Sequence, residues 1–269
     1  MSGPERIAEV FKRRKDEGSA ALITYLMAGD PDLDTSLVMA MACVEGGADI
    51  LEIGVPFSDP IADGPTIQRA AERALKSGTN FRKCLQLAAE IRKRTAVPVA
   101  FMGYLNPMLA YGPSSKLLAD CRQAGVDALI IPDLPPEEGV DLARAAREEE
   151  VGLVSLLAPT STPDRIEAAC RAATAFVYFV SVTGVTGARA ELPAEVGASV
   201  RRIREKSRVP VVVGFGISGP EQARSLLADV DGVVVGSAIV SRIAEAGTTA
   251  ERAERVRQFV ASLKVALRP

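Results

Sequence analysis

The sequence predicts an α/β chain closed into a single (β/α)8 barrel, with one extra helix at its N-terminus, and three observations carry that expectation. Eight strand-and-helix units alternate strictly along the chain. The apolar runs are near-continuous rather than alternating, as strands covered on both faces must be. No Gly-x-Gly-x-x-Gly fingerprint follows the first run, which counts against a doubly wound open sheet. One barrel of about 250 residues accounts for the length. Residues 1–269 therefore read as a single domain without a linker, a low-complexity tract or a repeat beyond the barrel's own unit.

Ile7, Val10 and Phe11 recur at helical spacing in a charged segment, so residues 4–17 form an amphipathic helix that closes before Gly18 and covers part of the core. Residues 20–28 are the first strand, followed by a helix that contains Leu37 to Val44 and stops at Gly46 and Gly47. Asp49 opens the second strand, which carries Glu52 within the apolar run Ile50, Leu51, Ile53 and Val55. Helical patterns follow over 67–76 and 81–95. The third strand, 98–104, leads through a turn at Asn106 and Pro107 to a helix over 115–123. The fourth, 128–132, ends at Asp133 and is followed by a helix over 140–149. Residues 152–158 and 175–181 are the fifth and sixth strands, with helices over 163–173 and 194–206. The seventh, 210–214, precedes a helix over 220–227. The eighth, 233–236, precedes helices over 237–246 and 250–267.

Composition removes several classes of function. A net charge of −2 with scattered Lys and Arg offers neither a basic stripe for nucleic acid nor a polybasic membrane patch. There is no apolar stretch of about eighteen residues and no signal-like start, so a soluble, cytoplasmic protein is expected. The four cysteines, Cys43, Cys84, Cys121 and Cys170, lie far apart without metal-like spacing and read as small buried residues of a reducing compartment. Histidine is absent. That takes away the commonest general base and metal ligand, so no metal site is expected and proton transfer falls to Asp, Glu, Tyr, Lys or Cys.

In a barrel of this kind the chemistry sits at the C-terminal ends of the strands and on the loops beyond them. Glu52 would be a carboxylate inside a buried strand, where burial without a cation raises its pKa toward neutrality and suits it to give and take protons. The alternative is a satisfied core carboxylate. Asp63 lies on the following loop, where a turn residue bonded to its own backbone is the competing reading. Asp30 and Asp133 read as turn or cap residues. Gly214 and Gly216, with Gly236 and Ser237, end adjacent strands, where bare backbone and a helix N-terminus can receive a phosphate; tight-turn chemistry is the alternative. The long glycine-rich segment 181–193 reads as a lid or as a plain connection.

Four motifs, LEIGVPFSDPIADGPTIQ, SVTGVTGAR, GFGIS and GSAIV, in this order and on these strands, resemble the tryptophan synthase α family, a TIM-barrel family, from the first helix to the last. The resemblance implies retro-aldol cleavage of indole-3-glycerol phosphate to indole and glyceraldehyde 3-phosphate, with Glu52 and Asp63 catalytic. It implies Tyr178 beside the glutamate, Thr186 and Gly187 on the lid, and Gly187, Gly216, Gly236 and Ser237 around the phosphate. It further implies no cofactor in this chain, a pyridoxal-phosphate β subunit as partner in an α2β2 complex, and contact with that subunit through Asp59, Pro60, Asn106, Pro107 and Gly184. Val182 stands where some members carry arginine. A stand-alone lyase and a catalytically silent phosphate-binding barrel that only activates its partner remain as alternatives.

Overall fold

The computed structural model describes residues 1–180, 194–214 and 216–269. Eight parallel strands close into a barrel in chain order: β1 (Ala21–Met27), β2 (Ile50–Gly54), β3 (Val99–Met102), β4 (Ala128–Ile130), β5 (Gly152–Leu157), β6 (Val177–Val180), β7 (Val211–Gly214) and β8 (Gly232–Val235), with β8 pairing back onto β1. The helices surround it: α1 (Gly3–Asp16) precedes β1, α2 (Leu33–Glu45) follows it, and α3 (Pro65–Lys76) and α4 (Phe81–Arg92) follow β2. Next come α5 (Leu105–Tyr111), α6 (Ser114–Ala124), α7 (Val140–Glu148), α8 (Pro163–Ala172), α9 (Ala194–Arg204), α10 (Pro220–Ser225), α11 (Ser237–Ala244) and α12 (Thr249–Ala266). No helix among the described residues is long and apolar enough to cross a membrane.

One expectation is corrected. Asn106 and Pro107 do not form a turn; they are the second and third residues of α5. Proline is tolerated there because the first N–H groups of a helix have no acceptor within it, so the missing donor costs nothing.

The apolar side chains segregate as the pleat requires. Ile23, Ile50, Ala128, Val154, Phe176 and Val212 point inward and fill the barrel, whereas Leu22, Leu51, Val99, Leu129, Val177 and Val213 point outward under the helices. Helix α1 belongs to the inner cluster: Ile7, Val10 and Phe11 are buried against it, and the Phe11 ring lies 5.9 Å from that of Phe176. The helix starts with a capping box between Ser2 and Glu5 and closes the N-terminal mouth. Its approach is close enough that a Cβ on Gly3 would lie 2.3 Å from the Asp127 carbonyl oxygen. All four cysteines are buried and free, and burial pushes the thiols of Cys43, Cys84 and Cys121 up to about 12.

Aspartates just before β2, β4 and β8 fasten this mouth. Asp127 accepts from the Val99 N–H at 2.8 Å, from Arg6 Nε at 2.6 Å and from Arg92 Nη2 at 2.6 Å. Asp49 accepts from the Leu22 N–H and Arg14 Nε, both at 2.8 Å, and pairs with Lys264. Asp231 accepts from the Val211 N–H at 2.8 Å and from Arg204 at 2.9 Å. Before β6 a neutral group takes the place of the carboxylate: Thr174 Oγ1 accepts from the Leu153 N–H at 2.8 Å. In each case the side chain satisfies the N–H of the first or second residue of the preceding odd-numbered strand.

Candidate active site

Glu52 sits in the middle of β2, in register with Tyr25 of β1 and Ala100 of β3. Every residue of β2 is buried, and Glu52 is only 3% exposed. Its Oε2 has no hydrogen-bond partner and no cation pairs with it among the described residues. Desolvation, reinforced by the nearby Asp63 charge, pushes its carboxyl up from the ordinary 4.5 to about 8. A satisfied core carboxylate would show the opposite pattern, with donors around both oxygens, so that alternative does not describe Glu52.

Asp63 overhangs Glu52 from the loop between β2 and α3. Burial pushes its carboxyl up to about 6, and a hydrogen bond from the Tyr104 hydroxyl holds the rise in check. Tyr104 lies just beyond β3 and fastens the loop: its hydroxyl accepts from the Ala62 N–H at 2.9 Å, and its ring packs on Phe57 at 5.4 Å. On the far side, Gln68 Nε2 donates to the Asp63 carbonyl at 2.9 Å. The backbone around Asp63 is thus held by neighbours, leaving the carboxylate to the cavity. Sequence reasoning did not single out Tyr104; its position one residue past a glycine at a strand's C-terminal end was the available signal.

Both carboxylates line a cavity of about 270 Å³ at the C-terminal mouth. Ile67, Met102, Ile130, Leu156 and Val234 give it an apolar wall, and Tyr25 and Tyr178 also line it. Tyr178 on β6 is buried, and a Cβ on Gly214 would lie 2.1 Å from its hydroxyl oxygen. Gly214 therefore makes room for Tyr178, and its lack of a side chain needs no ligand to explain it. Gly216, by contrast, takes φ +83°, a left-handed conformation that favours glycine, and it borders the cavity with Ser218, Gly236 and Ser237. Helix α11 begins at Ser237 with Gly236 as its N-cap, so the unpaired N–H groups of its first turn open at this end of the cavity.

The remaining sites expected from the sequence are dispersed. Asp133 is a cap residue, accepting from the Leu105 N–H at 2.9 Å at the start of α5. Asp30 is a buried ion-pair partner rather than a simple turn residue: both its oxygens accept from Arg73 of α3, at 2.7 and 2.8 Å. Asp59 and Asn106 are exposed and Pro60 and Pro107 partly so, on the neighbouring segments after β2 and β3. Val182, Gly184, Thr186 and Gly187 lie outside the described residues.

A closed eight-stranded barrel that gathers two acidic side chains, without a cation among the described residues, over an apolar cavity belongs to the class of (β/α)8-barrel enzymes. Residues 11–268 match the family model described as tryptophan synthase alpha chain. The chain is 48% identical over 262 residues to the tryptophan synthase alpha chain of Geobacter sulfurreducens, covering 97% of this chain and 98% of the relative. It is 45% identical to that of Caldanaerobacter subterraneus, covering 97% and 99%. A solved structure of Mycobacterium tuberculosis tryptophan synthase superposes with a TM-score of 0.91 at 38% identity, covering 98% of each chain. The chain belongs to the tryptophan synthase alpha chain family. It takes the α-subunit role in tryptophan biosynthesis, a lyase that cleaves indole-3-glycerol phosphate and the cofactor-free subunit of its family, which implies a β-subunit partner.

Proposed function

We propose that Glu52 and Asp63 divide the proton chemistry of that cleavage between them. The observation that carries the reading is a pair of carboxyls, Glu52 buried and Asp63 half-buried, raised to about 8 and about 6 and lining one apolar cavity without a cation among the described residues. Between those values Glu52 is protonated and Asp63 ionised. The Glu52 proton passes to indole C3, making the ring a leaving group. The Glu52 carboxylate then takes the proton of the C3′ hydroxyl as the C3–C3′ bond breaks, and the bond's electrons return to the ring. Indole and the aldehyde of glyceraldehyde 3-phosphate result, and Glu52 is protonated again. Asp63, ionised, accepts from the indole N–H and stabilises the positive charge that develops on the ring.

The apolar wall formed by Met102, Ile130 and Leu156 suits the indole, and Tyr178 flanks Glu52. Gly216, Gly236 and Ser237 receive the phosphate, aided by the positive end of α11. Thr186 and Gly187 belong to a lid that completes the site, Thr186 as the partner of Asp63.

Asp59, Pro60, Asn106, Pro107 and Gly184 form the face toward a pyridoxal-phosphate β subunit in an α2β2 complex in the cytoplasm. Supporting this, Tyr104 ties the segments after β2 and β3 together, and they expose two large apolar side chains, Ile61 at 87% and Leu109 at 58%. The test is to incubate the purified chain with indole-3-glycerol phosphate, with and without a cognate β subunit, and follow indole release. Cleavage that the β subunit accelerates is the expected result; none under either condition removes the reading.

A further inference from the structure

Tyr25 carries a hydroxyl that the proposed chemistry leaves unassigned. The residue is 5% exposed, and a phenol so buried ordinarily bonds to oxygen or nitrogen. Its hydrogen-bond partner among the described residues is the Met27 sulfur, a weak acceptor, at 4.0 Å. An oxygen placed there by a ligand would be a much better partner, and Tyr25 lines the cavity.

The placement of the ring says which part of a ligand it meets. At its base, a Cβ on Gly236 would lie 3.3 Å from Tyr25 Cβ, so the side chain starts beside the end of the cavity assigned to phosphate. At its tip, a Cβ on Gly54 would lie 2.2 Å from the hydroxyl oxygen, so the tip rests at the end of β2, two residues beyond Glu52. The ring therefore runs from the phosphate end to the carboxylates. A substrate with its phosphate at Gly236 and its indole beside Glu52 must lay its three-carbon chain along the same line.

That chain has two free hydroxyls, and Glu52 takes the proton of the one next to the indole. We propose that the Tyr25 hydroxyl donates a hydrogen bond to the other, on the middle carbon, and makes Tyr25 a specificity-determining residue for the glycerol chain; this rests on the site assignment proposed above. Burial and the neighbouring Asp63 and Glu52 charges hold the phenol well above its ordinary pKa, so it remains a donor throughout the working range. The thioether is a poor competitor for that proton, so little is lost when the substrate replaces it.

The experiment compares Tyr25 and Tyr25→Phe on two substrates: indole-3-glycerol phosphate and its analogue lacking the middle hydroxyl, which keeps every group the cleavage needs. The parent should prefer the full substrate in kcat/KM by about tenfold or more, about 1.4 kcal/mol. The Phe variant should lose most of that preference by slowing on the full substrate alone. Because the readout is a ratio of two substrates on one protein, a reduced folded fraction cancels. An equal loss on both substrates, or no loss on either, overturns the assignment. Failure of the parent to cleave the full substrate would instead strike the proposed site itself.

Discussion

The two mouths of the barrel treat their carboxylates in opposite ways. At the N-terminal mouth Asp49, Asp127 and Asp231 each accept from a strand N–H and from at least one Arg or Lys. At the C-terminal mouth, among the described residues, Glu52 has an oxygen with no partner, and Asp63 has a tyrosine hydroxyl in place of a cation. The same chemical group is thereby committed to structure at one end and left ready for protons at the other. Burial alone does not separate the two roles, since Asp127 is fully buried and Glu52 nearly so. What separates them is the presence of a compensating cation.

The strongest way to break this contrast is Glu52→Gln. The amide keeps the shape and cannot carry a proton, so indole formation should fall by about a thousandfold or more while the variant stays folded. At alkaline pH it should be more stable than the parent, because the parent loses stability that the amide cannot lose. The Glu52 carboxyl titrates near 4.5 when exposed and near 8 when folded, so the unfolded chain ionises first. The parent's stability is whole below about 4.5 and drains away as pH climbs through about 8. Relative to the parent, Glu52→Gln should gain on the order of 4 kcal/mol at pH 8 to 9, less whatever its new N–H groups lose by being buried, as read from urea unfolding. Equal stability of the two proteins across pH 5 to 9 would show that Glu52 is not held unpaired.

Asp127→Asn breaks the other end. It leaves Arg6 and Arg92 without their anion, and because both are about a quarter exposed the loss should be about 2–3 kcal/mol rather than the larger cost of a sealed ion pair. The urea midpoint should fall, while kcat/KM per folded molecule should stay within about twofold of the parent. A large fall in kcat/KM with stability intact would mean the two mouths are coupled.

The finest test concerns pH. If Glu52 and Asp63 act as proposed, cleavage requires Asp63 ionised and Glu52 protonated, and kcat/KM should follow a bell with limbs near 6 and 8, belonging to the pair as a whole. The substrate phosphate also titrates near about 6. Tyr104→Phe separates the two: losing the hydroxyl that holds Asp63 down should move the acid limb upward by a fraction of a unit, whereas the phosphate's own titration would not move. An unmoved limb would detach Asp63 from it.

Much of this was readable in the sequence, for definite reasons. Strands buried on both faces must be apolar without interruption, so all eight stood out, and an acidic residue inside one of them, Glu52, was conspicuous by its cost. Helix α5 was not readable because Pro107 in LNPMLAY looks like a turn, although a helix accepts proline in its first turn. Tyr104 and Tyr25 were passed over because an aromatic in or beside an apolar run looks the same whether its hydroxyl faces core or cavity. The clamping aspartates did leave a trace, each standing immediately before an even-numbered strand at Asp49, Asp127 and Asp231, but a turn residue before a strand looks no different until its partners are seen. Gly214 shows the reverse case, a glycine suggestive of an anion site whose bareness serves a neighbouring tyrosine.

Those aspartates recur on every second strand, and with Thr174 the recurrence completes the circle. The barrel therefore counts in twos: β1 with β2, β3 with β4, β5 with β6 and β7 with β8, each pair stitched by one side chain at its foot. Seen this way the ring is four copies of a half-hidden module, three of them closed by a charged stitch and one by a neutral hydroxyl. The uncharged quarter, β5 with β6, is the one that carries Tyr178 toward the cavity. One foot in four is thus closed by a neutral hydroxyl, so what the four share is an oxygen that accepts a strand N–H rather than a negative charge.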